Sequence, residues 1–165
     1  MSTTTTLGFN TRIDIPELTR ESMVSLLNQQ LADTFDLYTQ IKQAHWNVKG
    51  MDFMPLHLFF DELAENFIRY ADMLAERATA LGGRAEGTAR MAAANSRIDE
   101  LPLELTDGKD FVIALANRFS EYAASLRSAI DESAHWNDAT SSDLFTEISR
   151  EVDKSLWFIE SHLQA

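Results

Sequence analysis

Apolar residues recur every three or four positions along four long stretches of the chain, which is the period of an amphipathic α-helix. The first stretch begins near Thr19, which suits an N-cap, and stops at Gly50. The second begins at Asp52, with Pro55 in its first turn, and continues to Gly82. No alternation typical of strands competes, so the pattern predicts an all-α protein. The apolar positions of the first, third and fourth stretches are Met23, Leu27, Leu31, Phe35, Tyr38, Ile41, Phe111, Leu115, Phe119, Tyr122, Leu126, Ile130, Leu144, Ile148, Val152, Leu156, Ile159 and Leu163.

Residues 84–107, between the second and third predicted helices, form a connection that is too long for a tight turn. An alanine-rich piece from Thr88 to Ala94 predicts a short helix within this crossover. A long connection here lets the bundle run up, down, down, up, as in the ferritin-like four-helix bundle. Residues 1–16 are rich in threonine and have no helical period. We therefore predict a flexible N-terminal tail over residues 1–16 and a ferritin-like bundle over residues 17–165.

Two histidines and three carboxylates between residues 45 and 76 have the chemistry of metal ligands. His57 and Asp61 are four residues apart, and so are Asp72 and Glu76, so each pair shares a helix face. The step from Asp61 to Asp72 is close to three turns, which places all four side chains along one stripe. Imidazole and carboxylate together suit iron, manganese or zinc.

The two pairs on this stripe are too far apart to bind one ion. A rise of about 1.5 Å per residue separates Asp61 from Asp72 by roughly 16 Å along the axis. Either the two pairs have unrelated roles, or a second copy of the helix lies antiparallel against the first and brings the pairs together. In the second case a two-fold axis passes near Asn66 and Phe67, and each dimer has two identical sites.

Composition and charge restrict the function classes further. The 165 residues, 45% of them apolar and 24% charged, indicate one globular domain. There is no cysteine and no long apolar run, and the N-terminus does not follow the signal-peptide pattern, so we expect a cytoplasmic protein without a membrane segment. A net charge of −12 should repel phosphate backbones and attract cations.

Several motifs closely resemble those of the Dps family, the small ferritin-like mini-ferritins of bacteria. They are the run AHWNVKG at residues 44–50, a phenylalanine, histidine and aspartate at 53, 57 and 61, and the D-x-x-x-E motif at 72–76. The resemblance extends over nearly the whole chain. It includes residues 81–83, 87–88, 153–154 and 156–160.

The resemblance implies a ferroxidase centre shared between subunits. One subunit is expected to supply His45, His57 and Asp61, and its partner Asp72 and Glu76. The expected metal is iron, as Fe(II) and Fe(III), with up to two ions at each site. The family also implies a shell of twelve subunits, hydrogen peroxide as the preferred oxidant of Fe(II), and storage of ferric mineral inside the shell.

Three further residues are candidates beside this centre. Trp46 adjoins His45, so it is either packing or an electron donor to the redox site. Asp138 and Asp143 fall where the family has acidic residues that line three-fold pores; alternatively, Asp143 supports a helix N-terminus. The second AHWN run, at residues 134–137, creates a Glu132-x-x-His135 spacing. A di-iron site in the bundle needs two such motifs, so we interpret this one as a coincidence.

Two rival functions remain at this point. The first is a scaffold that compacts DNA and has only secondary iron chemistry. This function requires basic tails, whereas residues 1–20 contain no lysine and Arg12 and Arg20 are offset by Asp14 and Glu17. We therefore expect no appreciable DNA binding. The second is a helical bundle without metal, which would leave the ligand stripe buried at an interface with no ion to offset the cost of desolvation.

Overall fold

The computed structural model describes residues 7–164, which form five helices and no strand. The long helices are α1 (Glu17–Asn47), α2 (Phe53–Ala80), α4 (Gly108–His135) and α5 (Ala139–Ser161). The short helix α3 (Ala89–Asn95) lies in the crossover between α2 and α4. The predicted all-α bundle with a helix in its crossover is thus confirmed. Over residues 7–164, none of the helices has the length and apolar character needed to cross a membrane.

Contacts across the bundle fix the direction of α4. Thr34 on α1 bonds to Tyr122, whereas Gln40, further along α1, bonds to the earlier residue Arg118. α1 and α4 are therefore antiparallel, so α4 runs in the same direction as α2. This is the up, down, down, up order that the long crossover predicted.

The helix starts differ slightly from the prediction. α1 begins at Glu17 rather than at Thr19, because Pro16 holds a φ of −52° and its carbonyl accepts a bond of 3.0 Å from the Arg20 amide. Thr19 is buried inside the first turn. Asp52 does stand at the N-cap of α2, but its side chain makes no capping hydrogen bond.

Two consecutive glycines fix how the end of α2 meets α1. Gly82 has a φ of +91°, a left-handed conformation that side chains other than glycine rarely adopt. At Gly83 a Cβ atom would overlap the Val24 side chain on α1. These two positions let α2 end in close contact with α1, which sets the register of the hairpin.

Aromatic rings fill the middle of the bundle core. The Phe67 ring centroid lies 5.3 Å from that of Tyr70, 5.1 Å from that of Phe119 and 5.2 Å from that of Tyr122. All four side chains are buried. Burial raises the pKa of Tyr70 and of Tyr122, so both phenols keep their protons at neutral pH.

Polar side chains on one face of α1 hold the crossover against the bundle. Each bonds to a backbone or side-chain group in residues 84–99, which satisfies polar groups that the crossover would otherwise leave without partners. The crossover therefore docks mainly through hydrogen bonds rather than through an apolar face. The side chains are Asn28, Gln29, Asp33, Asp36 and Gln40.

Asp33 is the most buried of these anchors. Its carboxylate accepts bonds from the Arg97 amide at 2.7 Å and from the Arg97 guanidinium at 3.0 and 2.6 Å. The Asp33 side chain is 1% exposed, whereas that of Arg97 is 52% exposed. Loss of the carboxylate would leave the Arg97 amide without its acceptor.

Residues 7–16, which the sequence assigned to a flexible tail, lie against the α2–α3 junction. The amides of Gly8 and Phe9 each donate a 3.0 Å bond to the Gly82 carbonyl, and the Arg84 guanidinium lies 4.9 Å from the Phe9 ring centroid. Ile15 packs against the core. Gly8, Phe9 and Ile15 thus contact the folded bundle, and residues 8–10 and 12–14 are exposed. The flexibility of the tail stays a prediction, and residues 1–6 lie outside the described part of the chain.

We predict that Asp33→Ala lowers the free energy of unfolding by about 3 kcal/mol, because it leaves groups of the crossover unpaired. Asp153→Ala is the matched control. Asp153 also pairs with an arginine, Arg127, but both side chains are about half exposed, so its loss should cost less than about 1 kcal/mol. Denaturant unfolding measures both values. Equal costs for the two variants would contradict the anchoring role of Asp33.

Candidate metal centre

Two histidines from neighbouring helices form a stacked pair where α1 ends and α2 begins. The rings of His45 and His57 are 3.8 Å apart between centroids, with 17° between their planes. The Nδ1 atom of His45 lies 2.7 Å from the His57 carbonyl oxygen, and the Nδ1 atom of His57 lies 2.8 Å from the His45 carbonyl oxygen. The two helices are thus joined by a reciprocal pair of hydrogen bonds.

This reciprocal pairing fixes the tautomer of both rings. A carbonyl oxygen can only accept, so each Nδ1 must carry the proton and donate it. In the neutral imidazole the Nε2 atom then has a free lone pair, which is the state needed to bind a metal. Phe53 adds a third ring, with its centroid 5.0 Å from that of His57, and restricts the rotation of that ligand.

Asp61 lies beside this pair. His45, His57 and Asp61 make up the half-site, the set of ligands that one subunit is expected to supply. Its Oδ1 atom is 3.9 Å from the His45 Nε2 atom, which is too long for a hydrogen bond. Because each ligand lies about 2.0–2.2 Å from a bound ion, a gap of this width is within reach of one shared ion. His45 therefore lies beside both His57 and Asp61, and their joint role as metal ligands stays a prediction.

A lysine that the sequence reasoning missed neutralises Asp61. The Lys42 Nζ atom lies 2.6 Å from the Asp61 Oδ1 atom. This hydrogen bond is the main cause that lowers the pKa of Asp61, so the carboxylate is charged at neutral pH. Lys42 is three residues before His45 and shares its helix face, which is the signal that could have identified it.

Asp72 and Glu76 are not part of this cluster in a single subunit. Both are exposed, three or more turns further along α2. Within residues 7–164 of one chain, no three histidine or acidic side chains lie close enough together to hold an ion. Asp61, Asp72 and Glu76 lie on one outward-facing stripe of α2, which also exposes large apolar side chains. The stripe consists of Met54, Leu58, Asp61, Glu65, Ile68, Asp72 and Glu76.

The chain is similar to known ferritin-like proteins over most of its length. The family model for the ferritin-like domain matches residues 24–165. A DNA protection during starvation protein of Agrobacterium fabrum is 37% identical over 154 residues, which cover 93% of this chain and 95% of that protein. The chain belongs to the Dps family of ferritin-like proteins. The resemblance stated from the sequence motifs is thereby confirmed.

Solved Dps structures have the same fold. A tetragonal form of Dps from Mycobacterium smegmatis superposes with a TM-score of 0.90 at 28% identity and covers 94% of each chain. An archaeal Dps homologue from Halobacterium salinarum has a TM-score of 0.89 at 27% identity, covering 96% of this chain and 88% of that chain. The crossover helix and the four long helices are therefore features that this chain shares with experimentally solved relatives.

Trp46, the electron-donor candidate, follows His45 at the end of α1. Its side chain is 61% exposed, so the core does not account for it. The Lys42 Nζ atom is 5.7 Å from the centroid of the Trp46 ring. The same lysine thus contacts both a metal-ligand candidate and the electron-donor candidate.

The two pore candidates differ in their surroundings. Asp138 is buried, at 2% exposure, where it caps α5 and accepts bonds of 3.0 and 3.1 Å from the Arg77 guanidinium. Its carboxylate does not face solvent in the subunit, in contrast to the expectation for a pore residue. Asp143 is exposed in the first turns of α5. The acidic pore therefore stays a prediction that now rests on Asp143.

The second AHWN run lies where α4 ends and turns toward α5. Asn137 has a φ of +60°, and the Asp138 amide donates a 3.0 Å bond to the Ser133 carbonyl. These features end α4 in an ordered turn rather than a frayed one. His135 is exposed at this helix end, outside the bundle core.

We predict that Asp138 makes stability depend on pH. Burial alone would raise its pKa, but bonds from Ser141 and Arg77 outweigh burial and lower it. A carboxylate with a lowered pKa stabilises the fold above its ordinary pKa of 3.8, and this contribution is lost as pH falls through the lower folded-state pKa. Asp138→Asn should therefore lose stability mostly near neutral pH and much less in acid. Unfolding titrations across this range test it, with Asp143→Asn as the control; a constant difference at every pH would contradict the prediction.

Proposed function

We propose that this protein oxidises Fe(II) with hydrogen peroxide and stores the ferric product as a mineral inside a hollow shell of twelve subunits. The observation that carries the proposal is the half-site at the α1–α2 turn. It contains two imidazoles whose Nδ1 atoms are bonded to backbone carbonyls, which leaves their Nε2 atoms for a metal, and a carboxylate oxygen 3.9 Å from the His45 Nε2 atom. Membership of the Dps family supports the assembly and the substrates.

The other ligands come from a second subunit in this proposal. An antiparallel pairing of α2 with its copy that places Asp61 opposite Asp72 also places His57 opposite Glu76. Glu65 then faces Ile68 near the axis. The sequence placed Phe67 close to the two-fold axis, but its side chain is buried in the core of its own subunit. Neighbouring residues of α2 therefore form the surface near the axis. The exposed apolar residues of the stripe would be buried in such an interface, and their burial would stabilise it.

The ligand types suit iron as the substrate. Carboxylate oxygens favour Fe(III), which makes bound Fe(II) easier to oxidise, and the imidazoles let Fe(II) bind first. Hydrogen peroxide accepts two electrons, so one molecule can oxidise two Fe(II) ions without releasing a hydroxyl radical. We further propose that Trp46 can donate an electron to the oxidised centre, and that Asp143 lines the route by which Fe(II) enters.

The shared centre predicts that two inactive variants restore activity together. His57→Ala/Asp61→Ala and Asp72→Ala/Glu76→Ala should each lose most ferroxidase activity. After dissociation and joint reassembly, one site of each mixed dimer has both lesions and the other has neither, so activity should return to about half of wild type per mixed dimer.

Formation of the mixed dimers is checked by native mass spectrometry, and each variant reassembled alone serves as the control. Mixed dimers that form and remain inactive would contradict the shared site.

We also predict that Lys42→Met tightens Fe(II) binding. The lysine puts a positive charge beside Asp61 where the ion should sit, and removing it lowers the electrostatic cost of binding. A gain of about tenfold in affinity, or about 1.4 kcal/mol, is expected from anaerobic calorimetry. Lys49→Met is the control, because Lys49 is exposed and contacts backbone carbonyls instead of a ligand. Weaker binding by Lys42→Met would mean that the lysine positions Asp61 for the ion.

DNA compaction is the second candidate, because several relatives are named for DNA protection. The charge of this chain argues against direct binding, since contacts with phosphate need accessible lysine or arginine. Of the crossover arginines, Arg97 pairs with Asp33 and Arg84 lies over the Phe9 ring.

We predict that the assembled protein does not retard duplex DNA in a gel shift at neutral pH in about 150 mM salt with iron chelated. A lysine-rich tail grafted before residue 7 is the positive control. Retardation by the unmodified protein at submicromolar concentration would favour the scaffold function.

A further inference from the structure

Tyr70 is a buried residue that the proposed metal centre does not use. It lies on the core side of α2 and is 1% exposed, yet its hydroxyl donates a 2.7 Å bond to the Glu151 carboxylate on α5. Tyr122, in the same aromatic cluster, bonds instead to the Thr34 hydroxyl at 2.6 Å. Of these two phenols, only that of Tyr70 therefore bonds directly to a carboxylate.

Glu151 connects this buried phenol to solvent. Its side chain is 39% exposed and is bonded to the Arg69 guanidinium, which keeps it charged. Tyr70 and Glu151 also line a groove between α2 and α5 with a volume of about 270 Å³. Since a water molecule occupies about 30 Å³ in the liquid, several can enter this groove. A proton that reaches Glu151 can therefore leave to water.

Tyr70 is also close to one half of the proposed centre. It precedes Asp72 by two residues, so the two side chains leave α2 on nearly opposite sides. The diameter of a helix with its side chains is about 10–12 Å, so the phenol and an ion at Asp72 would be separated by about that distance, over which electron transfer within a protein is feasible. The Tyr70 ring lies in the core, while the groove brings water to its hydroxyl and to Glu151.

We propose that Tyr70 is a redox-active tyrosine that gives up an electron to the oxidised centre while its proton passes to Glu151. This inference rests on the proposed ferroxidase function and deepens it. Its role is to supply the second electron that hydrogen peroxide needs when only one Fe(II) is bound.

The step balances as follows in electrons and protons. Hydrogen peroxide accepts one electron from Fe(II) and one from Tyr70, its O–O bond breaks, and its two oxygens leave as water after taking two protons from solvent. The Tyr70 O–H bond breaks, the phenol becomes a neutral radical, and Glu151 takes its proton and later returns it to solvent. Fe(II) and Tyr70 are oxidised, and hydrogen peroxide is reduced.

The position of Arg69 explains why the proton must leave with the electron. The guanidinium carbon lies 5.0 Å from the centroid of the Tyr70 ring, so a positively charged ring would be repelled. Transfer of the proton to Glu151 leaves a neutral radical and a neutral carboxylic acid beside the arginine. Loss of the electron alone from Tyr70 is therefore disfavoured, whereas loss of the electron together with the proton is not.

The test is freeze-quench electron paramagnetic resonance on the assembled protein loaded anaerobically with one Fe(II) per subunit and mixed with excess hydrogen peroxide. Protein grown with ring-deuterated tyrosine separates a tyrosyl signal from a tryptophanyl one. We expect a tyrosyl radical that is lost in Tyr70→Phe and retained in Tyr122→Phe. A tyrosyl signal that persists unchanged in Tyr70→Phe overturns the inference.

The role of Glu151 is tested by Glu151→Gln, which keeps the size of the side chain but cannot accept the proton. The radical yield should fall to the background of Tyr70→Phe. Asp153→Asn is the matched control, because it removes a carboxylate from the same helix that pairs with an arginine but contacts no tyrosine. An unchanged yield in Glu151→Gln contradicts the proton transfer.

A second arm does not depend on iron. Photochemically generated ruthenium(III) tris-bipyridine oxidises the iron-free protein, and transient absorption reports any tyrosyl radical. A long-lived radical in wild type that is lost in Tyr70→Phe supports the inference even if Fe(II) is not oxidised, in which case only the proposed function fails. Fe(II) oxidation without a Tyr70 radical in either arm overturns the inference and leaves the ferroxidase function intact.

Discussion

The register between α1 and α2 is the constraint on which the rest of the structure depends. It is fixed at one end by the close approach of Gly83 to Val24, and at the other by the reciprocal bonds between His45 and His57. A shift of one residue would separate the two rings and turn the ligand stripe away from them. The same register presents the polar side chains of α1 to the crossover, so one pairing positions both the half-site and the connection that makes the bundle ferritin-like.

Features governed by helical period could be predicted from the sequence, and features governed by contacts between distant segments could not. The stripe of Asp61, Asp72 and Glu76 and the position of the short crossover helix followed from spacing alone. The anchoring role of the polar residues on α1 did not, because their helical spacing does not reveal which loop groups they bond to. Asp138 was predicted to face a pore, but its partner Arg77 is 61 residues away and only the fold brings the two together.

The charges of the half-site are balanced within the subunit before any ion binds. Asp61 is paired with Lys42, and the Nδ1 atom of each imidazole is bonded to a backbone carbonyl. Asp72 and Glu76, by contrast, are exposed and form no ion pair within residues 7–164 of the same chain. Under the proposed function, the neutralised carboxylate and the uncompensated carboxylates lie on two surfaces that meet only on assembly.

The paired histidines also have a consequence for how the family can diverge. The His45 carbonyl lies in the last turn of α1, where helical carbonyls have no partner within the helix, and the His57 ring supplies the missing donor. Each ring is thus a part of the helix junction as well as a candidate ligand. A descendant that abandoned iron chemistry would still be selected to keep both histidines, so their presence in a distant relative is evidence of shared architecture before it is evidence of shared catalysis.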